Sequence, residues 1–414
     1  MINIRTSAKM RASERSGKLT ITDAGCFRFF VTIIWVQTIL LDYFRAIVLR
    51  IPFINNFTNA IIVSLYLIPL LLSLRWMQRN IKLADCVAYV LIAFLYFLDG
   101  MLNLNKADVL AQYRHLFLVQ SLPLFFIGLN LEIEGIKERL YWLSIISIYA
   151  LAFYKMVLGG GVSLTQYTWS EDMSSSYYML PHLLLVILFT IKKPSVLNVI
   201  TSVFGTMLTF SFGTRAPLLI IFIFVVLYVM LFRNWKYPVR SRAMLGGAAI
   251  LVITFFEQII GLLQKITQSW GMSVRLYTYL LRGDFLQTNT RDDITNIVMQ
   301  GIQNRPLTGY GFAGDRLFGI IYSHNIALEL WASFGWIIGT VVLLWIALTL
   351  VRGILAGKSD FQKGFILLLV CTSFVKLLIS GTYLNEPFLY LLLGYCVKLI
   401  RARRTDRVLE KTNE

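Results

Sequence analysis

Three residues of this chain could do chemistry together: His324, Arg215 and Arg291. His324 is one of only three histidines in 414 residues and lies in the stretch YSHNIALELWASFGWIIG, residues 322–339. An imidazole titrates near neutral pH and can accept a proton, whereas a guanidinium binds phosphate through a planar fork of N–H donors. A histidine together with two arginines therefore predicts a site where a proton is transferred beside a bound anion.

The sequence around His324 places it at the start of a helix. Ser323 is expected to cap a helix that begins near Ile326. A helix N-terminus attracts anions and disfavours an imidazolium, so the ring would stay neutral and able to accept a proton. The alternative is a structural histidine in a loop, which is also the expectation for His115 and His182 near the ends of apolar segments.

Both arginines have unusual sequence contexts. Arg215 lies in SFGTRAPLL, in a very short turn between two apolar segments. An arginine at membrane depth is costly and usually functional; the alternative is a side chain that extends to lipid headgroups. Arg291 precedes an amphipathic segment that ends in a turn rich in Pro and Gly, RPLTGYGF, which contains Tyr310. Because no strand precedes it, this turn is a weak candidate for a phosphate-binding loop.

The rest of the chain must position these residues within a membrane. Hydrophobic residues make up 57% of the sequence and charged residues only 15%. A run of about 20 apolar residues spans a bilayer as a helix, and backbone in lipid must satisfy its own hydrogen bonds. We therefore expect an all-α, polytopic membrane bundle, a single integral membrane domain over residues 1–414. Twelve spans are predicted, near residues 27–48, 57–74, 84–104, 114–130, 139–158, 177–191, 195–213, 216–232, 243–263, 336–352, 364–380 and 384–400.

The distribution of basic residues predicts the orientation. With the N-terminus in the cytoplasm, inner segments hold 26 of the 39 Lys and Arg residues and outer segments hold ten. The tails 1–26 and 401–414 are then basic and cytoplasmic. The net charge of +17 is mostly this topology signal, with some attraction to anionic membrane lipids rather than to nucleic acid.

The segment 264–335 is the longest connection and is predicted to be a large extracytoplasmic loop. It carries six of the ten outer basic residues, including Arg275, Arg282, Arg291 and Arg316. A long loop in a compact protein usually has a function, so we expect an electropositive cleft for an anionic substrate. A solvated loop with scattered charges is the alternative.

Metal and disulfide chemistry have little support in the sequence. The outer segments lack an H-x-x-H or H-E-x-x-H pattern, and the four cysteines show neither zinc spacing nor a disulfide framework. No metal or other cofactor is expected.

Taken in order, the motifs GTRAPLL, TRDDI…RPLTGYG and SHNIALELWASFGWIIG resemble the bacterial superfamily of O-antigen polymerases (Wzy-type) and O-antigen ligases. The resemblance covers the motif order over about 195–350 and the twelve-span layout. One departure is that Gly335 and Gly339 do not follow the family's usual G-x-x-G rhythm.

The resemblance implies a GT-C-like, inverting, metal-independent glycosyltransferase in the bacterial cytoplasmic membrane, with its site on the outer face. The donor would be an oligosaccharide on undecaprenyl diphosphate. Arg215 and Arg291 would bind the diphosphate, His324 would act on the acceptor hydroxyl, and Asn325 would orient the sugar or the imidazole. Further substrate contacts are expected from Arg275, Arg282, Tyr310 and Arg316. A chain-length-regulating membrane protein is a candidate partner.

Three acceptors stay open: a second lipid-linked glycan, lipopolysaccharide core, or Ser and Thr of a protein. The single modest loop and the lack of an attached protein-binding module favour the first, a polymerase. From another class, a flippase or transporter would also have twelve spans, with Asp99 and Lys376 as candidate ion sites, but the two halves of the sequence show no repeat.

Overall fold

A computed structural model describes residues 23–48, 58–153, 169–212, 214–231, 256–269, 277–278, 281 and 291–413. Within these ranges all regular structure is helical, as the sequence predicts. The α-helices are α1 Asp23–Val48, α2 Thr58–Met77, α3 Leu83–Leu102, α4 Ala107–Arg114, α5 Leu124–Asn130, α6 Lys137–Phe153, α7 Trp169–Lys192, α8 Val196–Ser211, α9 Ala216–Leu231, α10 Phe256–Ser269, α11 Arg291–Asn304, α12 Ile326–Ala356, α13 Asp360–Leu369 and α14 Pro387–Asn413.

Three of the described helices have the length and apolar composition to cross a membrane. They are α3, the part of α7 from Ser175 to Lys192, and α12. Along α3 and α12, large apolar side chains such as Phe94 and Ile338 remain exposed, which is unfavourable in water and favourable in lipid. These features identify a membrane protein. The full set of twelve spans stays a prediction, and part of the ninth, residues 243–255, lies outside the described residues.

The predicted span at 114–130 is interrupted. Helix α4 continues into a π-helical turn, His115–Ser121, and α5 then begins after Pro123. Proline has no N–H to donate to the preceding turn, and π-helical turns mark local irregularities within helices. The π-helical turn and the short helix α5 therefore occupy the residues for which apolarity alone predicts one continuous helix.

Helix α12 is longer than predicted and is bent at Gly335. It covers the short helix expected near residue 326 and the span expected at 336–352. Gly335 has φ 76° and ψ 171°, a conformation that is essentially restricted to glycine. The first ten residues of α12 therefore take their own direction and belong to the same end of the molecule as His324.

Three buried polar side chains inside the bundle contact one another, although Nε2 of His182 is buried without a hydrogen-bond partner. Trp35 Nε1 donates to Ser144 Oγ (3.0 Å), which also contacts His182 Nδ1 (3.2 Å). His182 is fully buried and packs edge-on against the Trp35 ring. These contacts between α1, α6 and α7 agree with a structural role for His182.

The charged contacts are concentrated at two ends of the bundle. Asp85, near the start of α3, makes a bidentate ion pair with Arg401 (2.6 and 2.9 Å). Asp99, near the end of the same helix, pairs with Lys106 (2.6 Å). Fourteen residues of α-helix separate the two carboxylates, or about 21 Å at 1.5 Å per residue. The segments 99–106, 291–325 and 376–386 all meet at the Asp99 end.

Candidate functional site

Asn325, rather than Ser323, caps helix α12. Asn325 Oδ1 accepts hydrogen bonds from the backbone N–H groups of Ala327 (2.8 Å) and Leu328 (3.5 Å). Its backbone is extended, which is typical of an N-cap residue. The expectation that Ser323 caps the helix is therefore wrong: the Ser323 hydroxyl donates to Asn325 O instead (3.2 Å). The amide oxygen of Asn325 is occupied by the helix.

His324 immediately precedes this cap in a left-handed backbone conformation, with φ 57°. Few non-glycine residues adopt it, although histidine, asparagine and aspartate do so more often than others. The ring is half-buried, and its centroid lies 4.1 Å from that of Tyr322. Nδ1 is buried without a hydrogen-bond partner. Nε2 is therefore the nitrogen that can meet a reactant.

The surroundings of His324 keep its ring neutral. Burial, followed by the positive charge of Arg291, lowers the pKa of His324 below its ordinary value near 6.5. No carboxylate among the described residues contacts the ring, so this histidine has no acidic partner of the kind found in a catalytic triad. At neutral pH the imidazole is a free base beside a cation.

Residues 176 and 177 of α7 interact with the segments that carry the three predicted catalytic residues. Tyr177 interacts electrostatically with Arg291 and with Tyr322, the neighbour of His324. Ser176 Oγ lies 2.6 Å from the hydroxyl of Thr214, which directly precedes Arg215. Arg215 is half-buried and stands just before α9, whereas Arg291 is exposed and opens α11. Segments more than a hundred residues apart therefore converge on one turn of α7.

An ion pair also lies close to the Tyr177 ring. Lys376 Nζ is 2.5 Å from Glu386 Oε2 and 5.6 Å from the centre of the Tyr177 ring, and Ser380 hydrogen-bonds to the Tyr177 hydroxyl. Sequence reasoning did not include Tyr177, Ser380 or Glu386 in the site. The sequence does contain one sign of this pair. Lys376 and Glu386 are charged residues ten positions apart in an apolar region, where buried charges are normally paired.

The turn that follows α11 is a structural element that fits into the bend of α12. The backbone N–H groups of Tyr310 and Gly311 donate to Ala332 O and Ser333 O (2.8 and 2.7 Å), and Trp336 N donates to Pro306 O (2.7 Å). These are backbone groups that the break in α12 would otherwise leave unpaired. The turn therefore supplies hydrogen bonds that stabilise the bend in α12.

The side chains of this turn are also occupied within the protein. The Tyr310 hydroxyl, predicted to bind substrate, donates to Gly301 O (3.0 Å), and its ring packs against Phe318. The buried Lys106 Nζ donates to Tyr310 O and Phe312 O (2.5 and 3.0 Å) while it pairs with Asp99. This lysine holds the turn against α3.

Arg316 is buried, contrary to its expected place in an open cleft. Its side chain is only 5% exposed and forms ion pairs with Asp315 and Glu329. Two acidic residues placed close to one arginine in an apolar region could have indicated this pairing. The other expected substrate contacts, Arg275 and Arg282, lie outside the described residues.

Comparison with known proteins adds no assignment. No family model matches the chain, and no curated protein matches it. Within the described ranges, no group of three or more His, Cys, Asp or Glu side chains is arranged to hold a metal ion.

Proposed function

We propose that this protein is a membrane glycosyltransferase that joins oligosaccharide repeat units carried on undecaprenyl diphosphate into a surface polysaccharide. The reaction would take place at the outer face of the bacterial cytoplasmic membrane. The main support is the convergence of the Arg215 turn, Arg291 and His324 around residues 176 and 177 of α7. A neutral imidazole close to the Arg291 guanidinium suits a reaction that releases a diphosphate and transfers a hydroxyl proton to a base.

Each residue has a defined part in the proposed transfer. The acceptor hydroxyl oxygen attacks the anomeric carbon of the donor sugar, and the bond from that carbon to the diphosphate oxygen breaks with inversion. The hydroxyl proton passes to Nε2 of His324. Arg215 and Arg291 stabilise the negative charge that develops on the leaving undecaprenyl diphosphate. The donor supplies its own leaving group, so no nucleoside triphosphate is needed.

The position of Arg291 beside His324 fits this division of roles. A cation near the imidazole opposes protonation of the ring while the site is empty. When an anionic donor occupies the site, its charge offsets that of Arg291, and the imidazole becomes a stronger base. Proton acceptance would thus be favoured once the donor is bound.

Two further acceptors define the alternatives within this class of enzyme. Transfer to lipopolysaccharide core would make the protein an O-antigen ligase, and transfer to Ser or Thr would make it a protein O-oligosaccharyltransferase. The same donor site serves all three reactions.

A flippase or transporter is less well supported. The two candidate ion sites, Asp99 and Lys376, each have a protein partner, Lys106 and Glu386 respectively. The break in α12 would suit an ion only if its backbone groups were free. They are instead paired with the 306–311 turn.

The proposal is tested with purified protein in lipid nanodiscs and a lipid-linked oligosaccharide labelled at its reducing sugar. Incubation with donor alone should give products of two or more repeat units and release undecaprenyl diphosphate, both measured by mass spectrometry. Parallel reactions contain lipopolysaccharide core or a Ser/Thr-rich peptide. Transfer only to one of these would identify a ligase or a protein glycosyltransferase.

A matched control uses Arg401→Lys, at the far end of the bundle, which should polymerise like the wild type. Movement of the donor across proteoliposome membranes without any new glycosidic bond would contradict the proposal and support a transporter.

A further inference from the structure

Arg316 is the centre of a buried ionic network that joins three elements. Its Nη1 donates to Glu329 Oε1 of α12 (2.6 Å) and to Asp315 Oδ1. Glu329 also accepts hydrogen bonds from the Thr382 hydroxyl and from the backbone N–H of Tyr383 (3.0 Å). We call Asp315, Arg316, Glu329 and Thr382 the Arg316 network. It connects the 3₁₀-helix Gly314–Phe318, the first turn of α12 and the turn that precedes α14.

The network reaches His324 through one backbone hydrogen bond. Asp315 Oδ2 accepts from the N–H of Ser323 (2.8 Å), the residue immediately before His324. On the other side of His324, Asn325 is fixed by its capping bonds to α12. The left-handed backbone of His324 is therefore held from both sides, as an unfavourable conformation must be if it is to persist.

Arg316 uses only part of its guanidinium. Nη1 makes both ion pairs, whereas Nε and Nη2 are buried without hydrogen-bond partners. The group faces the ring of Tyr113 at 5.1 Å and is almost fully covered by protein. It is a single charge between two carboxylates, and a planar fork is not needed for that role.

We infer that Arg316 is a positioning residue, which acts through Asp315 and Ser323 to hold the imidazole of His324 toward the acceptor. This inference rests on the proposed function of His324 in glycosyl transfer. It replaces the expectation that Arg316 binds the substrate directly. The buried carboxylates of Asp315 and Glu329 serve to fix Arg316 and are not acids or bases in the reaction.

The choice of substituent separates positioning from substrate binding. Arg316→Lys places one cation between the same two carboxylates and should retain transfer, whereas a residue that binds diphosphate through its fork would lose activity as lysine. Arg316→Met leaves both carboxylates unpaired, and Asp315→Ala removes the acceptor of the Ser323 N–H while it leaves Arg316 paired with Glu329. Both should lower the single-turnover rate about 100-fold, as for a reacting group displaced by about 1 Å. Donor affinity should stay unchanged.

A second measurement reports the exposure and the pKa of His324 without any transfer reaction. The rate at which diethyl pyrocarbonate modifies each histidine is measured against pH by peptide mass spectrometry, which resolves His324 from His115 and His182. Loss of the hydrogen bond to Ser323 should expose the ring and raise the midpoint of its modification toward the ordinary histidine value, because burial is the main cause of the lowered pKa. Arg291, the charged group that acts on the ring from another element, is unchanged in these variants.

Arg401→Met is the matched control, because it breaks a comparable ion pair with Asp85 at the opposite end of the bundle. Arg401→Met should leave both the transfer rate and the modification of His324 at wild-type values.

If Arg316→Met does not fold, Asp315→Ala alone tests the inference. A folded Asp315→Ala variant with wild-type transfer and wild-type His324 modification would overturn the inference. Loss of transfer and of donor affinity in Arg316→Lys, with His324 modification unchanged, would assign Arg316 to the substrate instead. Absence of transfer in the wild type would count against the proposed function alone, since histidine modification still tests positioning.

Discussion

At the scale of single residues, His324 combines three features that seldom occur together. Its backbone is left-handed, its Nδ1 is buried without a partner, and its pKa is lowered by burial and by Arg291. His182 also has a buried ring nitrogen without a partner, so the left-handed backbone and the nearby charge of Arg291 are what distinguish His324. These features accord with a neutral ring that uses Nε2 in the reaction.

The influence of Arg291 on His324 can be measured directly. Arg291→Met removes a positive charge, so the pKa of His324 should rise toward, but not reach, the ordinary value, because burial persists. Arg291→Lys keeps the charge and should leave this pKa close to that of the wild type. The pH dependence of carbethoxylation at the peptide that contains His324 provides the measurement. A pKa of His324 that falls or does not move in Arg291→Met would contradict the claim that the charge of Arg291 lowers it.

The same pair of variants separates charge from geometry in catalysis. Arg291→Lys and Arg215→Lys keep the charge but lose the planar fork, and each should lose about 3 kcal/mol of transition-state stabilisation, or about 100-fold in rate. Single-turnover transfer in nanodiscs measures the loss. Arg404→Lys, in the exposed last part of α14, is the control and should be silent. Normal chain growth by a well-expressed lysine variant would remove that arginine from the diphosphate site.

At the scale of secondary structure, helix α12 and the 306–311 turn behave as one unit. A Cβ atom on Gly309 would lie 2.6 Å from Gly335 N, so the two glycines allow the backbones to meet. Both have positive φ values. The turn supplies the hydrogen bonds that the bend in α12 requires, and Lys106 holds the turn against α3.

Gly335→Ala should therefore destabilise the protein. An alanine must adopt a conformation that costs about 1–3 kcal/mol, and its Cβ would also lie 2.8 Å from Pro306 O. We expect a loss of about 3 kcal/mol in unfolding free energy, measured by denaturant unfolding in nanodiscs. Gly261→Ala is the control: Gly261 lies within α10 with nothing near its Cβ position, so the substitution should be neutral or stabilising by up to about 1 kcal/mol. Equal stability of the two variants would contradict this account of the bend.

The sequence predicted the positions of the helices better than the irregular features at their ends and bends. Apolar periodicity and composition located α1, α3, α8 and α9 within a few residues, because long apolar runs have few alternatives, whereas α7 begins eight residues before the predicted span. It did not predict the π-helical turn before Pro123, the cap at Asn325 or the bend at Gly335. These features depend on tertiary contacts: the bend at Gly335 is stabilised by hydrogen bonds to the 306–311 turn.

In the candidate site, too, contacts between residues distant in sequence could not be predicted. The residue types of His324, Arg215 and Arg291 led to their selection, and their catalytic roles stay predictions. Arg316 and Tyr310 also have residue types common in substrate-binding sites, but their side chains form contacts inside the protein. Their roles depend on partners that are distant in sequence. Pairing every acidic residue in the apolar segments with a cation would have pointed to Glu329 and Glu386.

At the scale of the whole molecule, charged contacts lie at two ends of an apolar bundle. The end with Asp85 and Arg401 also holds the Lys358–Asp406 pair, and the end with Asp99 holds the Arg316 network and His324. The distribution of Lys and Arg in the sequence predicts that the first end faces the cytoplasm. The proposed reaction requires the second end to face outward.

This orientation is tested by cysteine labelling. Ile321 is 79% exposed beside the site, and Val408 is 64% exposed near the end of α14. In a background with Cys26 and Cys86 replaced by serine, Ile321→Cys should react with a membrane-impermeant maleimide in intact spheroplasts. Val408→Cys should react only after lysis. The reverse pattern would place the site in the cytoplasm, where the proposed donor glycan is not displayed.

The most direct test of the central claim concerns the proton accepted by His324. His324→Asn is the appropriate variant, because asparagine tolerates the left-handed backbone and keeps hydrogen-bonding groups but cannot act as a base at this pH. Single-turnover transfer and donor affinity are measured against pH on purified wild-type and His324→Asn protein in nanodiscs.

We expect His324→Asn to transfer about 10²–10⁴-fold more slowly with unchanged donor affinity. Wild-type transfer should fall on acidification with a midpoint below the ordinary histidine pKa, because burial, the larger cause, persists when the bound donor offsets the charge of Arg291; this pH dependence should be absent in the variant. Wild-type activity that increases on acidification, together with weaker donor binding by His324→Asn, would contradict the account and make His324 a cationic ligand of the diphosphate.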